Sequence, residues 1–134
     1  MVSASLDTHV LVRLLVRDDE QQALVAAKRL AKHAKKSESL FVAVTVMLEL
    51  AWGLRSRYKF DKTEVIRALS SLLMTVELVF ESEGSLEQAL ASYEDGAVDN
   101  AVCLHLALSS RHDALPFLTF DIDAAREPRA KFLN

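Results

Sequence analysis

Short apolar runs alternate with apolar positions at helical spacing along this chain, and each change of spacing predicts a new element. Residues 2–6 read as a first strand. The helical pattern begins at once in residues 8–16, where Val10, Leu11, Leu14 and Leu15 share a face. Asp7-Thr8 therefore stands at a strand end and supplies N-cap chemistry. Arg17-Asp18-Asp19-Glu20 breaks the pattern, and the next helix runs to about Lys36 with Leu24, Ala27, Leu30 and Ala31 inward. Residues 40–44 form a second strand. Thr45 caps the helix that follows, which carries Val46, Met47, Leu50, Ala51 and Leu54 with Glu49 among them. After a turn over residues 56–61, Asp61 or Thr63 begins a helix whose apolar stripe is Val65, Ile66, Leu69, Leu72 and Leu73. Residues 75–80 are β-branched and aromatic, a third strand. A helix opens at Ser82 or Ser85 and reaches about Glu94. Gly96 interrupts, and another helix spans about 98–110. Phe117-Leu118-Thr119-Phe120 is a fourth strand ending at Asp121. Residues 122–126 make a short helix or turn, and Lys131-Phe132-Leu133 adds an edge strand.

Strands alternating with helices predict an α/β fold, a parallel sheet covered on both faces. Right-handed crossovers bring the carboxyl ends of its strands to one edge, where ligands of open α/β sheets bind. The 134 residues, 51% of them hydrophobic, suit a single domain over 1–134 with a substantial core. A net charge of −3 excludes a broadly basic protein that coats nucleic acid, but leaves room for a small acidic site that holds metal. Cys103 is the only cysteine, so neither an intrachain disulfide nor a cysteine zinc cluster is expected, and a buried place in a helix is. No signal-like segment and no run near the ~18 apolar residues of a membrane span occur, which predicts a cytoplasmic protein without a membrane partner.

The chemistry lies in four acids. Asp7 follows strand one, Glu49 lies early in the helix after strand two, Asp99 opens the helix before strand four, and Asp121 follows strand four. Asp7 and Asp121 are also explained as caps, and Asp99 as a complement to a helix N-terminus. Glu49, between Leu48 and Leu50 in a core-rich segment, calls for a partner. Carboxylates gathered at one edge repel each other unless a cation neutralises them, and an all-oxygen set suits Mg²⁺ or Mn²⁺. The remaining candidates have plainer explanations. Lys28, Arg29, Lys32, Lys35 and Lys36 form either a solvated face at a helix C-terminus or a rim that contacts phosphate. Arg55, Arg57 and Lys59 allow the same two readings. Trp52 reads as core or dimer contact. His105 and His112 lack a matching zinc set, and Ser109-Ser110 with His112 and Asp113 is too close in sequence to form a triad. A phosphoaspartate receiver would need a Lys on the late strand, which has none.

Four segments together resemble the PIN-domain family, and within it the VapC-type toxin ribonucleases. They are Leu6-Asp7-Thr8-His9-Val10-Leu11-Val12-Arg13, then Leu48-Glu49-Leu50-Ala51-Trp52 with Leu54-Arg55-Ser56-Arg57-Tyr58, then residues 99–107, and Leu118-Thr119-Phe120-Asp121. The resemblance implies a three-layer α/β/α fold with a central parallel sheet of four to five short strands flanked by helices. It implies that Asp7, Glu49, Asp99 and Asp121 hold Mg²⁺ or Mn²⁺. A metal-activated water then cleaves an RNA phosphodiester to leave a 5′-phosphate and a 3′-hydroxyl. Thr8 and Thr119 take polar positions beside the acids, and His9 stands where the family usually has Asn. Arg13, Arg55 and Arg57 become contacts for RNA or for an antitoxin. The expected partners are RNA, a second copy in a homodimer favoured by exposed apolar surface on residues 65–73, and a small VapB-like antitoxin that wraps the groove. Operator DNA would be reached only through that antitoxin. One departure changes the expectation: where relatives show two acids three apart, this chain has Asp99 and Val102. The alternative is thus a weakened or inactive PIN module that acts by binding protein or RNA.

Overall fold

In the computed structural model, which describes residues 1–134, helices and strands alternate as the apolar pattern predicts. Contacts divide the chain into two compact units, Met1–Glu83 and Gly84–Asn134.

The first unit is built on a parallel sheet of β1 (Val2–Ser5), β2 (Ser39–Val42) and β3 (Leu78–Phe80), in that order. Leu40 pairs with Leu78 and Val42 with Phe80, and all four are buried, so the alternation of the strands seats one sheet face in the core. β3 is shorter than the expected 75–80 because its first half is used as a turn. There Thr75 N–H donates to Leu72 O (3.0 Å) and Leu78 N–H to Thr75 O (3.1 Å).

The helix α1 (Thr8–Val16) has the predicted bounds and stops where Arg17 turns left-handed at φ 56°. Asp19 caps α2 (Glu20–Lys35), its carboxylate accepting from Gln22 N–H at 3.0 Å. The inward face of α2 differs from the expected Leu24, Ala27, Leu30 and Ala31. Ala23 and Ala26 are buried, while Leu24 and Ala31 are exposed. Small side chains at 23 and 26 let the helix lie close to its neighbours, and the bulkier Leu24 turns outward.

Thr45 does not cap α3 (Val44–Ser56). The N-cap position is Ala43, and Glu81, just beyond β3, reaches over to accept from Val44 N–H at 2.8 Å. Met47, Leu50, Ala51 and Leu54 form the buried face of α3. Glu49 points away from that face and is exposed, and Trp52 is 71% exposed, so neither belongs to the core. Asp61 and Glu64 form a reciprocal capping box at the start of α4 (Lys62–Leu73), with bonds of 2.8 and 2.9 Å. Val65, Ala68, Leu69 and Leu72 are buried, so the stripe that was expected to be exposed on this helix is core.

In the second unit, α5 (Glu83–Asp95) buries Leu86, Ala89, Leu90 and Tyr93, and α6 (Asn100–Arg111) buries Cys103, Leu104, Leu106 and Ala107. The strands β4 (Phe117–Thr119) and β5 (Ala130–Phe132) pair in parallel, Phe117 with Ala130 and Thr119 with Phe132. A 3₁₀ turn at Ala124–Arg126 joins them. The expected five strands are thus present and all pairs are parallel. Their hydrogen bonds, however, form a three-stranded and a two-stranded ladder, because β4 bonds only with β5. No helix is long and apolar enough to cross a membrane.

Candidate metal centre

Asp7 holds the junction between β1 and α1. One carboxylate oxygen accepts from Thr8 N–H at 2.8 Å, which caps α1, and the other lies 3.3 Å from His9 Nδ1. The hydrogen bond from His9 and then the Thr8 amide hold the Asp7 carboxyl below its ordinary value of 3.8, against a smaller opposing effect of burial.

Thr8 is the link between two of the predicted acids. It is buried, yet its hydroxyl is not orphaned, because Oγ1 donates to Glu49 Oε1 across 41 positions of sequence. The acid at the end of strand one and the acid on α3 are therefore joined through one residue: Thr8 N–H holds Asp7, and Thr8 Oγ1 holds Glu49. The expectation that Glu49 needs a partner is met, although for a different reason. Glu49 is exposed, and the partner meets it from α1.

In the second unit, Asp99 occupies the N-cap of α6, exposed and with no capping bond from its side chain. Asp121 follows β4, and one of its carboxylate oxygens accepts from Asp123 N–H (2.9 Å) and Ala124 N–H (3.4 Å). Thr119 Oγ1 accepts from Asp121 N–H at 2.9 Å and fixes the backbone there, which gives the predicted polar neighbour a definite task. Val102 lies half-buried on α6, one turn beyond Asp99.

Asp7 and Glu49 belong to the first unit, and Asp99 and Asp121 to the second. No three His, Cys, Asp or Glu side chains form a group that could hold a metal ion, so of the four predicted acids only Asp7 and Glu49 are linked, through Thr8. The four candidate side chains offer only hard carboxylate oxygens, the donor type that suits hard divalent cations.

Arg13 is engaged within its own unit. It pairs with Asp18 at 2.9 Å and donates to Gln22, and a hydrogen bond with Tyr58 is the largest effect raising its pKa. Arg55 and Arg57 are exposed at the end of α3, and Lys59 Nζ donates to Ser56 O at 2.8 Å. Sequence reasoning missed His33. Its ring is nearly enclosed, with Nδ1 2.8 Å from Ser3 Oγ and 3.2 Å from Glu38 Oε1, while the buried Nε2 has no partner. His33 lines a groove of about 790 Å³ together with Ser5 and His9 on one side and Val25 and Arg29 on the other. A lone histidine within a basic helix was the one signal that could have drawn attention to it.

The PIN domain family matches residues 4–129, through both units. No curated protein matches the chain.

Proposed function

This chain belongs to the PIN-domain family, and on that premise we propose that it is a metal-dependent endoribonuclease of the VapC toxin type, restrained by a small antitoxin protein. The family fold is a nuclease fold that typically works with divalent metal. The observation that carries the reading is the Thr8 bridge, which ties the carboxylate after strand one to the carboxylate on α3.

Asp7, Glu49, Asp99 and Asp121 would hold the ion. When bound, Mg²⁺ or Mn²⁺ would neutralise these acids, lower the pKa of a water and stabilise charge on a phosphoryl oxygen. The chain's own residues prepare that set. His9 and the Thr8 amide keep Asp7 ionised, and an ionised carboxylate is the form that binds a cation. Thr8 Oγ1 fixes the side chain of Glu49, and Thr119 fixes the chain at Asp121. Orientation of this kind by neighbouring hydrogen bonds is worth roughly 10–100-fold in metal affinity or activity.

The test is to incubate structured RNA with the protein in Mg²⁺ or Mn²⁺, beside Asp7→Asn. The wild type should cut, chelator should stop it, and the variant should be slower by about 100-fold or more. Equal cleavage by both proteins would refute the proposal. Val102 favours the second reading, a binding module that does not cut. Calorimetric titration separates the two: heat on adding Mn²⁺ supports the nuclease, and none at millimolar concentration supports the module. A homodimer is part of the proposal, with Trp52, 71% exposed on α3, as a candidate contact. A sedimentation mass of one chain at micromolar concentration would remove it.

A further inference from the structure

The second half of α2 carries Lys28, Arg29, Lys32 and Lys35, its C-cap is Lys36, all five are exposed, and none of them makes an ion pair. We infer that this face is a docking surface for the sugar-phosphate backbone of RNA, set apart from the acids that would hold metal. The inference rests on the nuclease reading above and deepens it by naming where the substrate is gripped.

Helical spacing puts Lys28, Lys32, Lys35 and Lys36 on one side of the helix. With Ala31 as floor they line a shallow concavity of about 360 Å³. Lys28 and Lys36 are separated along the axis by roughly 12 Å at about 1.5 Å per residue, enough for more than one phosphate. Arg29 and His33 carry the basic surface over the adjoining face of α2 into the larger groove. That groove is also lined by His9, whose ring touches Asp7. The lysine face and this groove thus share α2, with Arg29 as the cation on the groove side.

The plainer account, cations that complement the C-terminal end of the helix dipole, covers Lys32, His33 and Lys35 in the last turn. It does not cover Lys28 and Arg29 further back. A merely solvated face usually mixes signs, since opposite charges four apart support a helix and like charges oppose it. Here Glu20 is the only acid in α2, and Lys28, Lys32 and Lys36 repeat like charges at that spacing. A polyanion removes that repulsion. A protein partner fits less well, because protein interfaces are depleted in lysine and enriched in aromatic side chains, and this face has four lysines and no aromatic ring.

Fluorescence anisotropy with a labelled single-stranded RNA, in chelator so that no cleavage occurs, tests the assignment across a series of KCl concentrations. The wild type should bind with a negative slope of log affinity against log salt. In the triple variant Lys28→Ala, Lys32→Ala, Lys35→Ala the slope should be shallower by about two, near 0.7 for each lost phosphate contact. Affinity at 100 mM salt should fall at least about tenfold. Circular dichroism checks that the variant is folded, and the matching Lys→Gln triple replaces it if it is not. Restoration of slope and affinity by Lys→Arg at the same positions supports the proposal. An unchanged slope overturns it, as does a wild type that does not bind RNA. A polyglutamate peptide that binds as tightly as RNA and is lost equally in the variant also overturns it, in favour of an acidic protein partner. Because cleavage is not read, a protein that grips RNA through α2 and cuts nothing sinks only the nuclease reading.

Discussion

Thr8→Val isolates the bridge on which the proposed metal centre rests. Valine keeps the β-branched shape of a buried side chain and removes only the hydroxyl that donates to Glu49. A hydrogen bond to a charged group contributes about 1.5–3 kcal/mol when it is shielded from water. Glu49 is exposed, so water replaces much of the lost bond and the coupling should come down to about 1 kcal/mol. The backbone N–H of residue 8 still caps Asp7, so α1 should keep its start. A double-mutant cycle with Thr8→Val, Glu49→Ala and the double variant, read by urea unfolding, removes the separate effects of losing each side chain. The expected coupling of about 1 kcal/mol should appear in the midpoint with no change in the denaturant slope. A coupling below about 0.3 kcal/mol, within the additivity of independent sites, would show that the bridge does not hold in solution. In that event the two acids would not be positioned by one another, and the reading of the site would lose its support.

Three other outcomes follow from the same contacts. His9→Ala should raise the Asp7 pKa toward its ordinary 3.8, read by NMR titration of the carboxyl carbon, and an unchanged titration would contradict the His9 contact. Because the folded pKa of Asp7 is the depressed one, its contribution to wild-type stability is present above about pH 4 and lost as pH falls through the folded value; that loss should shrink in His9→Ala. Glu81→Ala should cost about 0.5–2 kcal/mol by uncapping α3, and the amide of Val44 should exchange faster with solvent; no change in exchange would argue against the cap. Leu50→Ala empties a fully buried position and should cost about 2–5 kcal/mol in chemical denaturation, whereas a loss under 1 kcal/mol would place Leu50 outside the core.

Sequence alone determined what local forces decide. The bounds of α1, the Asp61 start of α4, the interruption at Gly96 and the parallel strand class all follow from apolar period and cap residues, which act within a turn or two of chain. Asp7, Asp99 and Asp121 were legible as candidates for the same reason, since each stands at a strand end or helix start, whereas Glu49 lies beyond the first turn of α3 and was singled out by its apolar neighbours. Tertiary structure decided everything that needed a remote partner. Glu81 replaced Thr45 as the cap of α3 from 37 positions away, because a carboxylate at the end of β3 lies beside the open N–H of Val44. Two small alanines set the rotation of α2, and with it the exposure of Leu24, because close packing is a property of neighbouring elements and not of the helix alone. Likewise Thr8 was readable as a polar neighbour of Asp7, but its bond to Glu49 exists only because the fold brings α1 against α3, a meeting that no periodicity along the chain encodes.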